Sequence, residues 1–253
     1  MENKALHSQG QGLDEYTFGR EAAKNRSRPS TFCLAGEIPK GDRMNSVENN
    51  LAYFTEWGGR NWVDLAKLAV SELQKDDGLK GAELLDVGSR YGKMAVFFSL
   101  IGAKVTGIDI CEEFVLAARE EAKKWNAPNV NFIQYNGNWD MIPDESFDIV
   151  FTKSVLVMVP DLEDLLRNIA KKLRPNGRVA FLENGKGDPL FHMLRRITRR
   201  KFNWRRRTYI TRNQVKLIQS MFEITSIKRT FFPPIYLFLG RKRSSACQGA
   251  CSG

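Results

Sequence analysis

Three consecutive strand-like segments end in polar side chains suited to gripping a ligand, and they bound the chemistry open to this chain. The first, Leu84-Leu-Asp-Val, reaches Asp86 and turns through Gly88-Ser-Arg-Tyr-Gly92. In open α/β sheets ligands bind just beyond the carboxyl ends of the strands, and glycines there let the main chain approach closely. A nucleotide pyrophosphate does not suit this turn. Its fingerprint is G-x-G-x-x-G with the phosphates at a helix start, whereas Arg90 and Lys93 occupy the second and third glycine positions here. A carboxylate at Asp86 repels phosphate and attracts a cation. The second segment, Val105-Thr-Gly-Ile-Asp109, ends in another acid, placed to accept hydrogen bonds from ribose hydroxyls. The third, Val130–Gln134, leads to Asn136-Gly137, and the Asn136 amide can both donate to and accept from an adenine edge. Plainer readings exist beside these: Asp86 as a cap of the following turn, Asp109 as a cap of the next helix, Asn136 as an ordinary loop residue.

The elements that must position these groups follow from periodicity. Helical spacing of Trp62, Leu65, Ala66, Leu68, Ala69 and Leu73 predicts a helix over 58–75. From position 83 strands and helices alternate: strands at Glu83–Val87, Lys104–Ile108, Val130–Gln134, Phe147–Phe151 and Arg178–Leu182, with helices at Tyr91–Ile101, Glu112–Trp125, Leu162–Leu173 and Thr211–Met221. Arg174-Pro175-Asn176-Gly177 reads as a turn. Such alternation means βαβ units and a parallel sheet covered on both faces. Strands at Glu223–Thr230 and Tyr236–Arg241 share too short a link for a helical crossover, so they should run antiparallel.

Composition frames the rest. Of 253 residues, 42% are hydrophobic, enough for one large domain. Residues 1–45 are polar and aperiodic and are expected to be disordered, as is the tail 243–253; the domain is expected at 46–242. No apolar run is long enough to span a bilayer, and the first residues lack the apolar stretch of a secretory signal. With four cysteines, two of them (Cys247 and Cys251) in the tail, and no second ligand pair, the expectation is unpaired thiols in the cytoplasm and no metal site. Lys and Arg exceed Asp and Glu by 39 to 29, a formal charge of +10, which favours anionic partners. Much of the excess is local: Arg195–Arg207 holds eight Arg or Lys and no acid. Leu190, Met193, Leu194 and Ile197 before and among them form an apolar helical stripe, and Phe202 and Trp204 follow. A basic amphipathic segment of this kind, at 187–208, reads as a lid that meets an anionic membrane surface, RNA phosphates or an anionic substrate; a merely solvated face is the alternative.

LLDVGSRYG, VTGID, NGNWDMIPDESFDIV and VLVMVPDLEDLLRNIAKKLRPNGRVAFLE, in this order, resemble the class I S-adenosylmethionine-dependent methyltransferases of the menaquinone-biosynthesis-like, small-molecule type. The resemblance covers roughly residues 55–241. It implies a doubly wound α/β fold with a mostly parallel seven-stranded Rossmann-like sheet and an antiparallel last strand. It also implies S-adenosyl-L-methionine as cofactor, whose ammonium and sulfonium are the cations Asp86 would suit. Residue by residue it implies that Asp86, Gly88 and Gly92 hold the methionine end, Asp109 the ribose, Ile110 the adenine face, and Asn136 and Gly137 the adenine edge. Thr152 and Lys153 would line the methionine moiety. Three positions depart from the pattern: Arg90 stands where glycine is usual, Asn136 where Asp is, and Val157-Met158 where His-His often occurs.

Methyl transfer from a sulfonium needs orientation and water exclusion more than a strong catalytic group. His192, in the basic segment, is the candidate for a base; Glu183 and Asn184 are placed to touch substrate or to close the cofactor pocket, and Tyr53 and Trp57 to wall it. The fourth strand is followed by Thr-Lys-Ser-Val rather than an Asn/Asp-Pro-Pro-aromatic loop, and no cysteine stands in the middle strands, so nucleic-acid methylation is disfavoured. The expected acceptor is a small molecule or lipid-linked compound, methylated at O, N or C. An RNA- or protein-directed enzyme and a non-catalytic cofactor-binding module are the competing readings.

Overall fold

The computed structural model describes residues 60–75, 78–185, 209–231 and 234–243. The expectations for residues 1–45, for the basic segment 187–208 with His192, for Tyr53 and Trp57, and for residues 244–253 fall outside that range.

The described chain runs α1 (Arg60–Gln74), β1 (Glu83–Val87), α2 (Lys93–Leu100), β2 (Lys104–Asp109), α3 (Glu112–Lys124), β3 (Val130–Gln134), a 3-10 turn (Trp139–Met141), β4 (Phe147–Lys153), α4 (Leu162–Lys172), β5 (Leu173–Asn184), α5 (Arg212–Met221), β6 (Phe222–Arg229) and β7 (Ile235–Lys242). The strands form one seven-stranded sheet in the order β3-β2-β1-β4-β5-β7-β6. Strands β1 to β5 pair in parallel, and β7 inserts between β5 and β6, antiparallel to both. The strand order reverses between β1 and β4, and that switch point opens a crevice at the carboxyl edge.

Three expected boundaries moved, each for a physical reason. The helix after β1 begins at Lys93 rather than at Tyr91, because Gly92 sits at φ +71 and cannot continue a helix backward. β4 runs on to Lys153 and β5 to Asn184, because central strands with partners on both sides keep their ladder beyond the apolar run. The expected turn at 174–177 lies inside the span of β5. Pairing with β4 jumps from Leu173 to Arg178, and Asn176 bulges out at φ +62.

Alternation divides the sheet into two faces. Leu84, Val105, Ile149 and Phe151 face a core shared with Ala69 and Val70 of α1 and Phe97 and Phe98 of α2. Leu85, Val150, Val179 and Phe181 face the other core, with Leu166 and Ile169 of α4 and Ile218 of α5. Two residues past Leu84, Asp86 faces the α1–α2–α3 layer; two past Phe151, Lys153 does the same. Thr152 and Glu183 share the parity of Val150 and Phe181 and face the opposite layer.

Candidate functional site

Asp86 is the last residue but one of β1, lies within its buried run and is 2% exposed. It receives a hydrogen bond from the Ala95 main chain, in the first turn of α2, where a carboxylate suits the unpaired N–H groups. Its Oδ2 atom is buried without a hydrogen-bond partner. Burial first, then the nearby Asp109 charge, push its carboxyl up to about 7, against the pull of Lys153 and the Ala95 bond. A buried acceptor with an unused oxygen is poised for a cationic donor.

Asp109 ends β2, half-buried, on the same face. Its Oδ2 accepts the Arg90 N–H at 2.8 Å and its Oδ1 accepts the Cys111 N–H at 3.0 Å. Each carboxylate oxygen keeps capacity for another bond. The first contact fixes the turn after β1, where Arg90 adopts φ +50. The Arg90 guanidinium lies 4.9 Å from the Tyr91 ring centroid and 5.3 Å from that of Phe114. A side chain where glycine is usual is thus folded onto the rings of the turn and of α3.

The two glycines of the turn have different duties. A Cβ on Gly92 would stand 2.6 Å from Phe132 Cζ and 2.7 Å from Ala118 Cβ, so Gly92 lets α2 and α3 close over β3. A Cβ on Gly88, at φ +72, would collide with Val155 in the loop after β4, so Gly88 lets that loop approach β1 across the switch point. Ser89 between them buries its hydroxyl without a partner.

Lys153 closes the crevice from the β4 side. Its Nζ lies 5.3 Å from the centroid of the Trp62 ring of α1. Burial holds its ammonium down to about 8; Asp86 opposes that shift, and the charges of Arg90 and Lys93 add to it. Trp62 was legible only as a member of an apolar stripe; its place beside Lys153 follows from how α1 crosses the sheet.

Thr152 and Glu183 form a separate buried pair. Both are 0% exposed. Glu183 Oε1 accepts from Thr152 Oγ1 at 3.2 Å and from the Val155 and Leu156 N–H groups at 3.1 Å each. Oε2 has no partner, and burial pushes the carboxyl up to about 7. Glu183 therefore ties down the start of the loop after β4, and the Thr152 hydroxyl points to it from the face away from Asp86. Asn184 supports the same loop, donating from Nδ2 to Ser154 Oγ at 3.2 Å.

At the end of β3, Asn136 and Gly137 are exposed, with Gly137 at φ +94 and open space around it. Asn136 Oδ1 accepts the Asn138 N–H at 3.0 Å. Ile110 is 54% exposed beside Asp109. Asp86, Gly88, Asp109, Ile110 and Lys153 thus lie along one edge of three adjacent strands, with Asn136 and Gly137 on the next.

Residues 85–181 match a family model described as a methyltransferase domain. Among curated proteins, the chain is similar to a ubiquinone biosynthesis O-methyltransferase of Proteus mirabilis, 31% identical over 122 residues, covering 48% of this chain and 49% of that protein. It is also similar to a demethylmenaquinone methyltransferase of Tropheryma whipplei, 34% identical over 103 residues, covering 41% and 42%. The chain spans about half the length of these relatives or less. Among solved structures, an S-adenosylmethionine-dependent methyltransferase of Aquifex aeolicus superposes with a TM-score of 0.58 at 18% identity, covering 76% of this chain and 98% of that one.

Proposed function

We propose that this chain, which carries the class I S-adenosylmethionine-dependent methyltransferase domain, transfers a methyl group from S-adenosyl-L-methionine to an O, N or C atom of a small-molecule or lipid-linked acceptor, with residues 46–242 as the working domain. The observation that carries this reading is the orphaned Oδ2 of buried Asp86, next to a second acid, Asp109, on the neighbouring strand. A donor with an ammonium, a sulfonium and a ribose fits that arrangement: a cationic donor satisfies the orphan and favours the ionised carboxyl. A dinucleotide would bring phosphates to two carboxylates.

When bound, the cofactor supplies an electrophilic methyl group. In this reading Asp86 takes the ammonium, with Gly88 and Lys153 along the methionine end. The two oxygens of Asp109 accept from the ribose hydroxyls while holding the turn. Ile110, exposed and apolar, covers one adenine face, and Asn136 and Gly137 meet its edge. Thr152 and Gly92 act at one remove, by fixing the loop after β4 and the packing of α2 and α3.

The acceptor we favour is anionic or membrane-associated. The two relatives are a ubiquinone biosynthesis O-methyltransferase and a demethylmenaquinone methyltransferase, which supports a quinone-type acceptor class here. The chain leaves β5 at Gly185 and returns at Ile210, which forms a parallel bridge with Gly185; the Ile210 N–H donates to Asn184 O at 2.9 Å. Gly185 and Ile210, the described residues before and after the basic segment, therefore meet at the carboxyl edge of the sheet. Among the described residues no helix is long and apolar enough to cross a membrane.

Calorimetry tests the reading directly. S-adenosylmethionine and S-adenosylhomocysteine should bind with micromolar affinity and NAD should not; tight NAD uptake with neither of the others overturns it.

A further inference from the structure

We infer that Glu183 is a positioning residue for the methionine end of the methyl donor, acting through the turn that follows β4 and through Val155 on Gly88. The inference rests on the methyl-transfer reading and deepens it, because it assigns the shape of the donor's amino-acid subsite to a side chain on the other face of the sheet.

Three consecutive residues at the end of β5 grip three consecutive residues beyond β4. Leu182 O accepts the Ser154 N–H at 2.8 Å. Glu183 Oε1 accepts the Val155 and Leu156 N–H groups at 3.1 Å each. Asn184 Nδ2 donates to Ser154 Oγ at 3.2 Å. Alternation along β5 puts Glu183 in the α4–α5 layer with Phe181, and Asn184 on the face of Asp86 with Leu182. The turn is therefore held from both sides of the sheet.

The grip enforces an unfavourable backbone. Ser154 stands at φ +60, a left-handed conformation that a residue with a Cβ adopts at a cost and keeps where its neighbours fix it. That residue turns the chain out of β4, and the Met158 N–H closes the turn by donating to Val155 O at 2.8 Å. The Val155 side chain then stands over Gly88, so close that any Cβ there would collide with its Cγ2. Glu183, Val155 and Gly88 thus form one chain of contacts from the far face of the sheet to the turn after β1.

Stability alone does not call for a carboxylate at this position. Glu183 is 0% exposed; its Oε1 takes three donors, and its Oε2 is buried without a partner. A buried acid with an idle oxygen costs free energy. It nonetheless reaches two main-chain N–H groups and the Thr152 hydroxyl at once, which fixes the turn in direction as apolar packing cannot. That cost and the strained Ser154 fall together at the switch in strand order, where a ligand needs a rigid wall. The effect is selective. Loosening the turn lets Val155 move off Gly88 and opens the amino-acid subsite, while Asp109, Ile110 and Asn136, carried by other strands, keep their places for the nucleoside.

The test compares two ligands. Full-length protein is titrated with S-adenosylhomocysteine, which has the amino-acid end, and with 5′-methylthioadenosine, which lacks it. The proteins are wild type, Glu183→Met, Glu183→Gln, Val155→Ala and the double variant of Glu183→Met with Val155→Ala. Glu183→Met should raise the Kd for S-adenosylhomocysteine by about tenfold or more, the scale of one net hydrogen bond, and that for 5′-methylthioadenosine by less than about twofold. Glu183→Gln keeps an acceptor for the turn and should stay within about threefold of wild type. In the Val155→Ala background Glu183→Met should add less than about threefold, because the two side chains act in series. Glu183→Asp keeps the charge but withdraws the oxygen by one methylene; it should show the same selective loss and replaces Glu183→Met where that variant does not fold. Equal losses for the two ligands, or no loss for S-adenosylhomocysteine, make Glu183 a support of the fold alone and overturn the inference. Glu183→Gln as weak as Glu183→Met overturns the acceptor role, and additive losses in the double variant overturn the route through Val155. Failure of wild type to bind S-adenosylhomocysteine overturns the methyl-donor reading itself.

Discussion

The Arg90 main-chain N–H donates to Asp109 Oδ2 at 2.8 Å, so the turn that follows β1 is fastened to the end of β2 by the same carboxylate that faces the crevice. Binding and local order are thereby coupled in one side chain. Asp109→Ala should lose both the ribose contacts and the tether, raising the Kd for S-adenosylmethionine by about 30-fold or more, the scale of one or two hydrogen bonds to a charged group. Calorimetry reads this, and an unchanged affinity refutes the ribose assignment.

Glu183 makes stability depend on pH in a direction opposite to that of an exposed ion pair. Its carboxyl is raised from 4.5 to about 7 in the fold, so the folded state binds more protons than the unfolded chain between those values. Stability therefore falls as pH rises through that window and levels off above it, by an amount on the order of 3 kcal/mol. Asp86, raised from 3.8 to about 7, acts in the same sense. Asp148, held low chiefly by its hydrogen bonds to Arg174 and the Glu83 main chain against its own burial, loses its contribution only as pH falls through the acid range below this window. Urea midpoints at pH 5 and pH 8 should show the decline, and Glu183→Gln should make it shallower, leaving the share of Asp86, because the amide keeps an acceptor for the loop without a charge to bury. An equal slope in the variant would show that Glu183 does not titrate in this window.

Gly92→Ala tests whether the turn is limited by packing. The new methyl would press on Phe132 and Ala118 from a backbone at φ +71. Overpacking and left-handed strain together should cost about 2–4 kcal/mol, seen as a lower denaturation midpoint with an unchanged m-value. A loss below about 0.5 kcal/mol would mean that α2 and α3 shift to make room.

The basic segment gives a fourth prediction. Replacing Arg195, Arg196, Arg199 and Arg200 together by Gln should weaken attachment to phosphatidylglycerol vesicles by an order of magnitude or more, each cation near an anionic leaflet contributing about 1 kcal/mol. Flotation assays measure it. Absence of vesicle binding by the wild type removes the membrane part of the proposal and leaves the acceptor as an anionic small molecule.

Much of this protein is dictated locally. The alternation of strands and helices, the antiparallel pairing of β6 with β7, and the acids at the ends of β1 and β2 follow from periodicity, link length and residue type, because those signals act over a few residues. What Thr152 and Lys153 do was decided by the sheet. They are neighbours, and only the extension of β4 to position 153, enforced by β1 and β5 on either side, places them on opposite faces. Thr152 goes to Glu183, and Lys153 goes to Asp86 and Trp62. The unpartnered oxygens of Asp86 and Glu183 were equally illegible, since whether a carboxylate finds all its donors depends on main-chain N–H groups brought from distant segments by the tertiary fold.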